Sequence, residues 1–202
     1  MSTGTIFITA SNADFKVANR FLLLIRDWEY GSGDRFHIKI DKNHVRFDAN
    51  GYNNTVTDAG SLTADNFTNE WKGASLSDVE TWMLEATRQD PTGDPSLWIL
   101  LDDEGVEQQT CILAERRMPE DNYGMDPKPT FTLNKIRLSW EEVYSPWCNL
   151  DIANMSFDEF TADGPDAEGW WEYDSSSSSD LPDEKKQERD NEVQRLKEEG
   201  KA

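Results

Sequence analysis

The sequence predicts one α+β domain, with a mixed β-sheet and a few short helices, followed by a disordered or weakly helical polar C-terminal tail. Three observations predict it: short apolar runs between polar turns, one segment of helical periodicity, and a change of composition at residue 174. A chain of 202 residues can build one domain with a core, but not two once the tail is subtracted. We therefore expect the domain over residues 1–173 and the tail over residues 174–202.

Three short apolar runs predict strands in the first part of the chain. They are TIFIT, FLLLI and FHIKI, at residues 5–9, 21–25 and 36–40. Their β-branched and aromatic residues suit the half-buried surface of a pleated sheet. Residues 48–60 predict a long loop or an irregular hairpin, because Asn, Gly, Thr and Asp prevail there with little periodicity.

The clearest helix signal begins at Ser77. Ser77 and Glu80 have the spacing of a capping box, in which each side chain bonds the backbone N–H of the other residue. One apolar face then follows at the i, i+3, i+4 and i+7 positions, through Val79, Trp82, Met83 and Ala86. A Pro and Gly-containing segment after residue 90 ends the helix.

The second half of the chain predicts three more strands and two short helical turns. The strands are LWILL, TCILA and FTLNKIRL, at residues 97–101, 110–114 and 131–138. A second capping box is expected from Ser139 and Glu142, with the helix stopped at Pro146. A third is expected from Ser156 and Glu159.

The tail predicts no contribution to a core. After a run of serines at residues 175–179, few apolar residues remain. Pairs such as Lys186 with Asp190 would support a solvated helix, by only about 0.2–0.5 kcal/mol each. The serine run suits an acid-directed kinase, but a flexible polar linker is the favoured interpretation.

The charge of the chain favours some partners and disfavours others. With 40 acidic and 20 basic residues, the net charge is −20. Nucleic acid and anionic membranes are disfavoured, because binding to phosphates requires Lys and Arg. A protein partner with a basic surface is favoured, and the alternative is that the charge only keeps the protein in solution. Without a signal peptide, a membrane-spanning run or a disulfide framework, the sequence predicts a cytoplasmic protein, with the nucleus left open.

The run NLDIANMSFDEF at residues 149–160 resembles a phrase of a domain family of unknown function, found chiefly in bacterial proteins. The matching positions are Asn149, Leu150, Ala153, Asn154, Met155, Phe157, Glu159 and Phe160. The resemblance covers about residues 97–173, and departs from the family at an insertion over residues 115–128 and at the tail. It implies a shared fold and no particular chemistry. From the residues alone, Asn149 and Asn154 either bond backbone in a turn or present amides to a ligand.

The sequence predicts neither a cofactor nor a metal. It contains no Gly-rich phosphate loop, and His37 and His44, the only histidines, lack a metal-binding spacing. The run DANGYNN at residues 48–54 only partly matches a calcium loop, since its Gly comes too early. Cys148 is expected to be an inert, buried thiol rather than a nucleophile.

Two further groups are candidate binding residues. Asp102 and Asp103 end a predicted buried strand, where carboxylates either bind ligands or mark a turn into solvent. Trp170 and Trp171 are adjacent, so in a strand they point to opposite faces, and one of them is expected to be an exposed anchor with an acidic rim. We therefore expect a protein-binding domain. The alternative is an enzyme with an acidic pocket near Asp102, Asp103 and the two asparagines; the oligomeric state is not indicated.

Overall fold

The computed structural model describes residues 3–31, 33–43, 56–89, 97–116, 133–161, 163–175 and 181–202. Several predictions lie outside these described residues. They concern His44, the calcium-like run at residues 48–54, the end of the second helix after residue 89, the insertion between the last predicted strands, and most of the serine run.

A six-stranded mixed sheet organises the chain, with the strand order β2-β1-β3-β4-β5-β6. The strands are β1 Gly4–Ile8, β2 Phe36–Ile38, β3 Leu97–Leu101, β4 Thr110–Arg116, β5 Leu133–Ser139 and β6 Trp170–Trp171. Strands β2, β1 and β3 are parallel, β3, β4 and β5 are antiparallel, and β6 runs parallel to β5. The predicted α+β domain with a mixed sheet is therefore confirmed.

Helices cover both faces of this sheet. They are α1 Phe15–Leu24, α2 Leu76–Gln89, α3 Asp103–Gln108, α4 Tyr144–Asp151 and α5 Asp183–Glu198, with a 3₁₀ turn at Phe157–Phe160. Ile6 and Ile8 of β1 pack in one cluster with α1, whereas Phe7 packs in a second cluster with α2. Side chains alternate between the faces of a strand, so β1 is buried on both sides. Within the described ranges, no helix is long and apolar enough to cross a membrane.

The run FLLLI was predicted to be a strand and is helical, which corrects that prediction. The side chain of Asp14 caps α1 by accepting hydrogen bonds from the backbone N–H groups of Lys16 and Val17. Phe21, Leu22, Leu23 and Leu24 are then all buried. A helix buried nearly all round and a buried strand give the same continuous apolar run, so periodicity could not separate them.

The capping boxes predicted from Ser77 with Glu80 and from Ser139 with Glu142 do not begin helices α2 and α4. Helix α2 begins after Ser75, which bonds with Asp78 in the first turn rather than through the predicted pair: the backbone N–H of Ser75 donates to the Asp78 carboxylate at 2.8 Å. Pro146 was expected to stop a helix, but lies in the first turn of α4, where its missing N–H is not needed. The box formed by Ser156 and Glu159 is confirmed.

The C-terminal segment packs against the rest of the domain, so the expectation that it adds nothing to the core is wrong. Leu196 of α5 is 1% exposed, and Val193 packs against the core cluster that contains α1. The Asn19 side chain donates to the carbonyl oxygen of Lys201 at 2.9 Å. Leu196 also lies against Gly60, where an added Cβ would be 2.7 Å from it. Two apolar residues three apart are enough to dock one side of a helix whose average composition is polar.

Candidate functional site

A cleft of about 880 Å³ opens where three parts of the chain meet. One wall is the rim turn, which we define as the described residues 26–31 and 33–34 between α1 and β2. The others are α4 with the residues around it, and the beginning of α5. The volume is in the range of sites that hold small molecules or short peptide segments.

The rim turn is held by several polar contacts. The guanidinium group of Arg26 makes two parallel hydrogen bonds to the carboxylate of Asp34, at 2.6 and 2.7 Å. Asp27 pairs with Gly33 across the turn, and its side chain accepts the backbone N–H of Tyr30 at 2.9 Å. The turn therefore has a defined conformation, and it presents Tyr30 with 81% of its surface exposed.

Carboxylates and aromatic rings both line the cleft. Its two arginines are already bound to acids, since Arg26 pairs with Asp34 and Arg189 pairs with Glu141 at 2.7 Å. Glu29 and Glu142 also line it. In the part of the chain that the structure describes, neither of them forms a salt bridge.

Both of these acids form hydrogen bonds with hydroxyl groups. The hydroxyl of Ser139 donates to Glu142 at 2.6 Å. A hydrogen bond with Glu29, together with its charge, raises the pKa of the Tyr30 hydroxyl, which therefore stays protonated at neutral pH. The cleft thus offers carboxylates and a neutral phenol to an occupant.

Cys148 was predicted to be a buried, inert thiol; it lines the same cleft and is only partly buried, which corrects the burial. Burial raises the pKa of Cys148, and the nearby charges of Asp151 and Asp27 raise it further. No histidine is among the described residues that line the cleft. The thiol is therefore protonated at neutral pH and lacks an adjacent imidazole as a base.

Asn149 and Asn154 both contribute to the end of α4. The backbone N–H of Asn154 donates to the carbonyl of Asn149 at 2.9 Å, and that of Ala153 donates to Leu150 at 3.1 Å. This is the Schellman pattern, and Ala153 takes its left-handed position with φ of 52°. The amide of Asn154 also donates to the side-chain oxygen of Asn149 at 2.8 Å, and the amide of Asn149 donates to the carbonyl of Ser145. Asn149 is a cleft residue, but both amides are used by the helix end, so the geometry supports their structural interpretation.

Asp102 holds three elements together. It is the N-cap of α3, where it accepts the backbone N–H of Gly105 at 2.7 Å. Its two oxygens also accept hydrogen bonds from the guanidinium of Arg137 on β5, at 2.6 and 3.0 Å. A carboxylate engaged in this way has little capacity left for a ligand.

Asp103 connects the carboxyl ends of β1 and β3. One of its oxygens accepts both the backbone N–H and the hydroxyl of Ser11, at 2.7 and 2.8 Å, and these bonds lower the pKa of Asp103. In open α/β sheets this position often holds a ligand. Here the bonds between Asp103 and Ser11 occupy that position. Of the four residues predicted for an acidic enzyme pocket, Asn149 is in the cleft, whereas Asp102, Asp103 and Asn154 are not among the residues that line it.

Trp170 and Trp171 lie on opposite faces of the sheet, as their adjacency predicts. Trp170 packs with the α2 cluster, below the ammonium group of Lys135 at 5.2 Å from its ring centre. Trp171 packs with the other cluster, contacts Phe157, and donates its indole N–H to Asn134 at 3.1 Å. Both are half-buried. The expectation of one exposed anchor is therefore wrong, because this sheet has a core on each face.

Tyr30 is the aromatic residue that the sequence interpretation missed. It lies between the apolar runs at residues 21–25 and 36–40, a segment in which the sequence indicates no candidate residue. The available signal was the pair Arg26 and Asp34 around a Gly-containing turn, which indicates that the turn is held shut and its centre is displayed. In the described part of the chain, the exposed large hydrophobic side chains are Tyr30 and Ile152.

No group of three His, Cys, Asp or Glu side chains suited to a metal ion occurs among the residues that the structure describes.

Comparisons of the chain with models of protein families, with curated proteins and with solved structures find no match. The resemblance of residues 97–173 to a domain family therefore stays a prediction, and the function is argued from the cleft.

Proposed function

We propose that the protein is a binding protein whose cleft receives a basic segment of a partner protein. One observation carries the proposal: an exposed tyrosine, Tyr30, stands on a firmly held turn at the edge of an acid-lined cleft. The partner class is the one that the net charge of −20 favours, a protein with a basic surface.

Charge complementarity supports this occupant. Glu29 and Glu142 line the cleft without a salt bridge among the described residues, whereas Arg26 and Arg189 each pair with a carboxylate. Lys or Arg side chains of a partner would give both glutamates a counter-ion. The charge of the whole chain would also speed the encounter with a basic partner.

The position of Tyr30 supports a role as an anchor. Tyrosine is enriched among residues that dominate binding energies, because it offers a large rigid surface with a polar end. The bonds between Arg26 and Asp34 already order the turn before binding. Little conformational entropy would therefore be lost when a partner covers the ring.

Ile152, which is 52% exposed, adds apolar surface to the segment after α4. It follows the cleft residue Asn149 by three positions, and Met155, three positions further, also lines the cleft. Exposed apolar surface therefore occurs on two segments that border the cleft. Protein interfaces typically combine apolar and charged side chains in one surface.

Charge reversal tests the proposal. The variant Glu29→Lys with Glu142→Lys should bind a labelled peptide of alternating arginine and alanine at least about tenfold more weakly than the parent, measured by fluorescence anisotropy, since two counter-charges become like charges. The same variant should lose proteins that the parent captures from a cell extract.

The matched control is Glu168→Lys with Glu172→Lys. Both residues are exposed, neither lines the cleft, and the net charge changes by the same amount. This control should bind the peptide within about twofold of the parent, because only the screened, long-range attraction between the whole chain and the peptide is reduced. Equal weakening in the two double variants would contradict the proposal, because it would mean that the peptide responds only to total charge.

A further inference from the structure

The inner face of α5 brings basic side chains of the chain itself to the cleft. Lys186 and Arg189 line it together with Leu181, which precedes the helix. Arg189 reaches Glu141 at 2.7 Å, and its side chain is only 11% exposed. An arginine of this protein therefore already occupies an acid of the cleft that is proposed to receive basic side chains.

The attachment of α5 to the domain is small. Leu196 is the buried residue of the helix, and its polar docking contacts include Arg189 with Glu141 and the Asn19 amide with Lys201. Several other charged groups of α5 pair within the helix, as Arg195 does with Glu192 and Glu199. A helix that buries so little apolar surface can leave its place at low cost compared with the core helices.

We propose that α5 is an internal competitor of the partner, an inference that rests on the proposed function. With α5 docked, Arg189 neutralises Glu141 and, with Lys186, closes one wall of the cleft. With α5 displaced, Glu141 joins Glu29 and Glu142 as an acceptor for basic side chains. The partner segment that fits is one that carries Lys or Arg side chains, the residue types that Lys186 and Arg189 bring to the cleft.

Competition of this kind lowers the apparent affinity of the cleft. A partner that binds only the open form has its affinity reduced by the fraction of molecules in that form. If α5 is displaced in about a tenth of the molecules, the apparent affinity is about tenfold weaker than that of the open form. Changes that loosen α5 should therefore strengthen binding.

The test uses the full chain with three single substitutions. Arg189→Ala removes the contact with Glu141, and Leu196→Ala loosens the helix at its other end without a change of charge. Arg195→Ala is the control, because it removes one positive charge from the same helix while its salt bridges lie within α5. Binding of the labelled arginine and alanine peptide is measured by anisotropy, and opening of α5 by amide hydrogen exchange.

We expect Arg189→Ala and Leu196→Ala each to bind the peptide about five- to tenfold more tightly than the parent, with faster exchange in α5. Arg195→Ala should bind like the parent. Unchanged or weaker binding in both loosened variants, with exchange in α5 accelerated and near-UV circular dichroism as in the parent, would overturn the inference while leaving the proposed function intact. Absence of peptide binding by the parent and by every variant would overturn both.

Discussion

Ala153 is a residue at which local backbone conformation and side chain are poorly matched. It ends α4 with φ of 52°, a region that costs most residues about 1–2 kcal/mol and costs glycine almost nothing. The hydrogen bonds made by Asn154 and Met155 to the carbonyl of Asn149 hold it there. The asparagines of the family-like phrase are thus explained by one helix end.

The substitution Ala153→Gly should raise the free energy of unfolding by about 0.5–1 kcal/mol, because relief of the left-handed strain exceeds the added entropy of the unfolded chain. Urea unfolding followed by tryptophan fluorescence measures it. The control is Ala167→Gly, at an exposed position whose φ is not positive, which should leave the protein slightly less stable or unchanged. A less stable Ala153→Gly protein would contradict this account of the helix end.

Asp103 links two strands of the sheet, because its bonds to Ser11 connect the ends of β1 and β3. Those bonds lower its pKa in the folded state below the unfolded value of about 3.9. Its contribution to stability is therefore complete above the unfolded pKa, and is lost as pH falls through the folded pKa.

Asp103→Asn should reduce the acid sensitivity of the protein. The amide oxygen can still accept from Ser11, but it has no charge to lose, so stability should fall less between about pH 5 and pH 2 than in the parent. Urea unfolding at a series of pH values measures the two slopes. The exposed residue Asp163 supplies a control, Asp163→Asn. Parallel curves for the parent and Asp103→Asn would show that this junction does not titrate as described.

Sequence patterns located most elements of the sheet and misassigned one helix. Strands such as LWILL were recognisable because short apolar runs are bounded by polar segments. The run FLLLI has the same appearance but belongs to α1. The decisive signal, the cap at Asp14, lies seven positions before Phe21, where the continuously buried run begins. The docking of α5 was missed because it depends on Val193 and Leu196, two residues in a polar segment.

At the scale of the whole molecule, the site was the part that sequence could not predict. The cleft is formed by segments that are distant in the sequence, since Glu142 lies more than a hundred residues after Tyr30 and Arg189 lies further along again, and no local pattern joins them. Asp102 and Asp103, which were predicted to bind a ligand, instead form hydrogen bonds between elements of the fold. The net charge predicts the class of partner that is proposed for the cleft, a protein with a basic surface, and that class stays a prediction.

The most direct measurement is a map of the bound peptide on the protein. Backbone amide chemical shifts should be followed by NMR while the arginine and alanine peptide is added to the full chain. We expect the chemical-shift changes to concentrate in the rim turn, in α4 and at the beginning of α5. Changes centred on residues 168–172, or spread evenly over the exposed acids, would contradict the assignment of the cleft as the binding site.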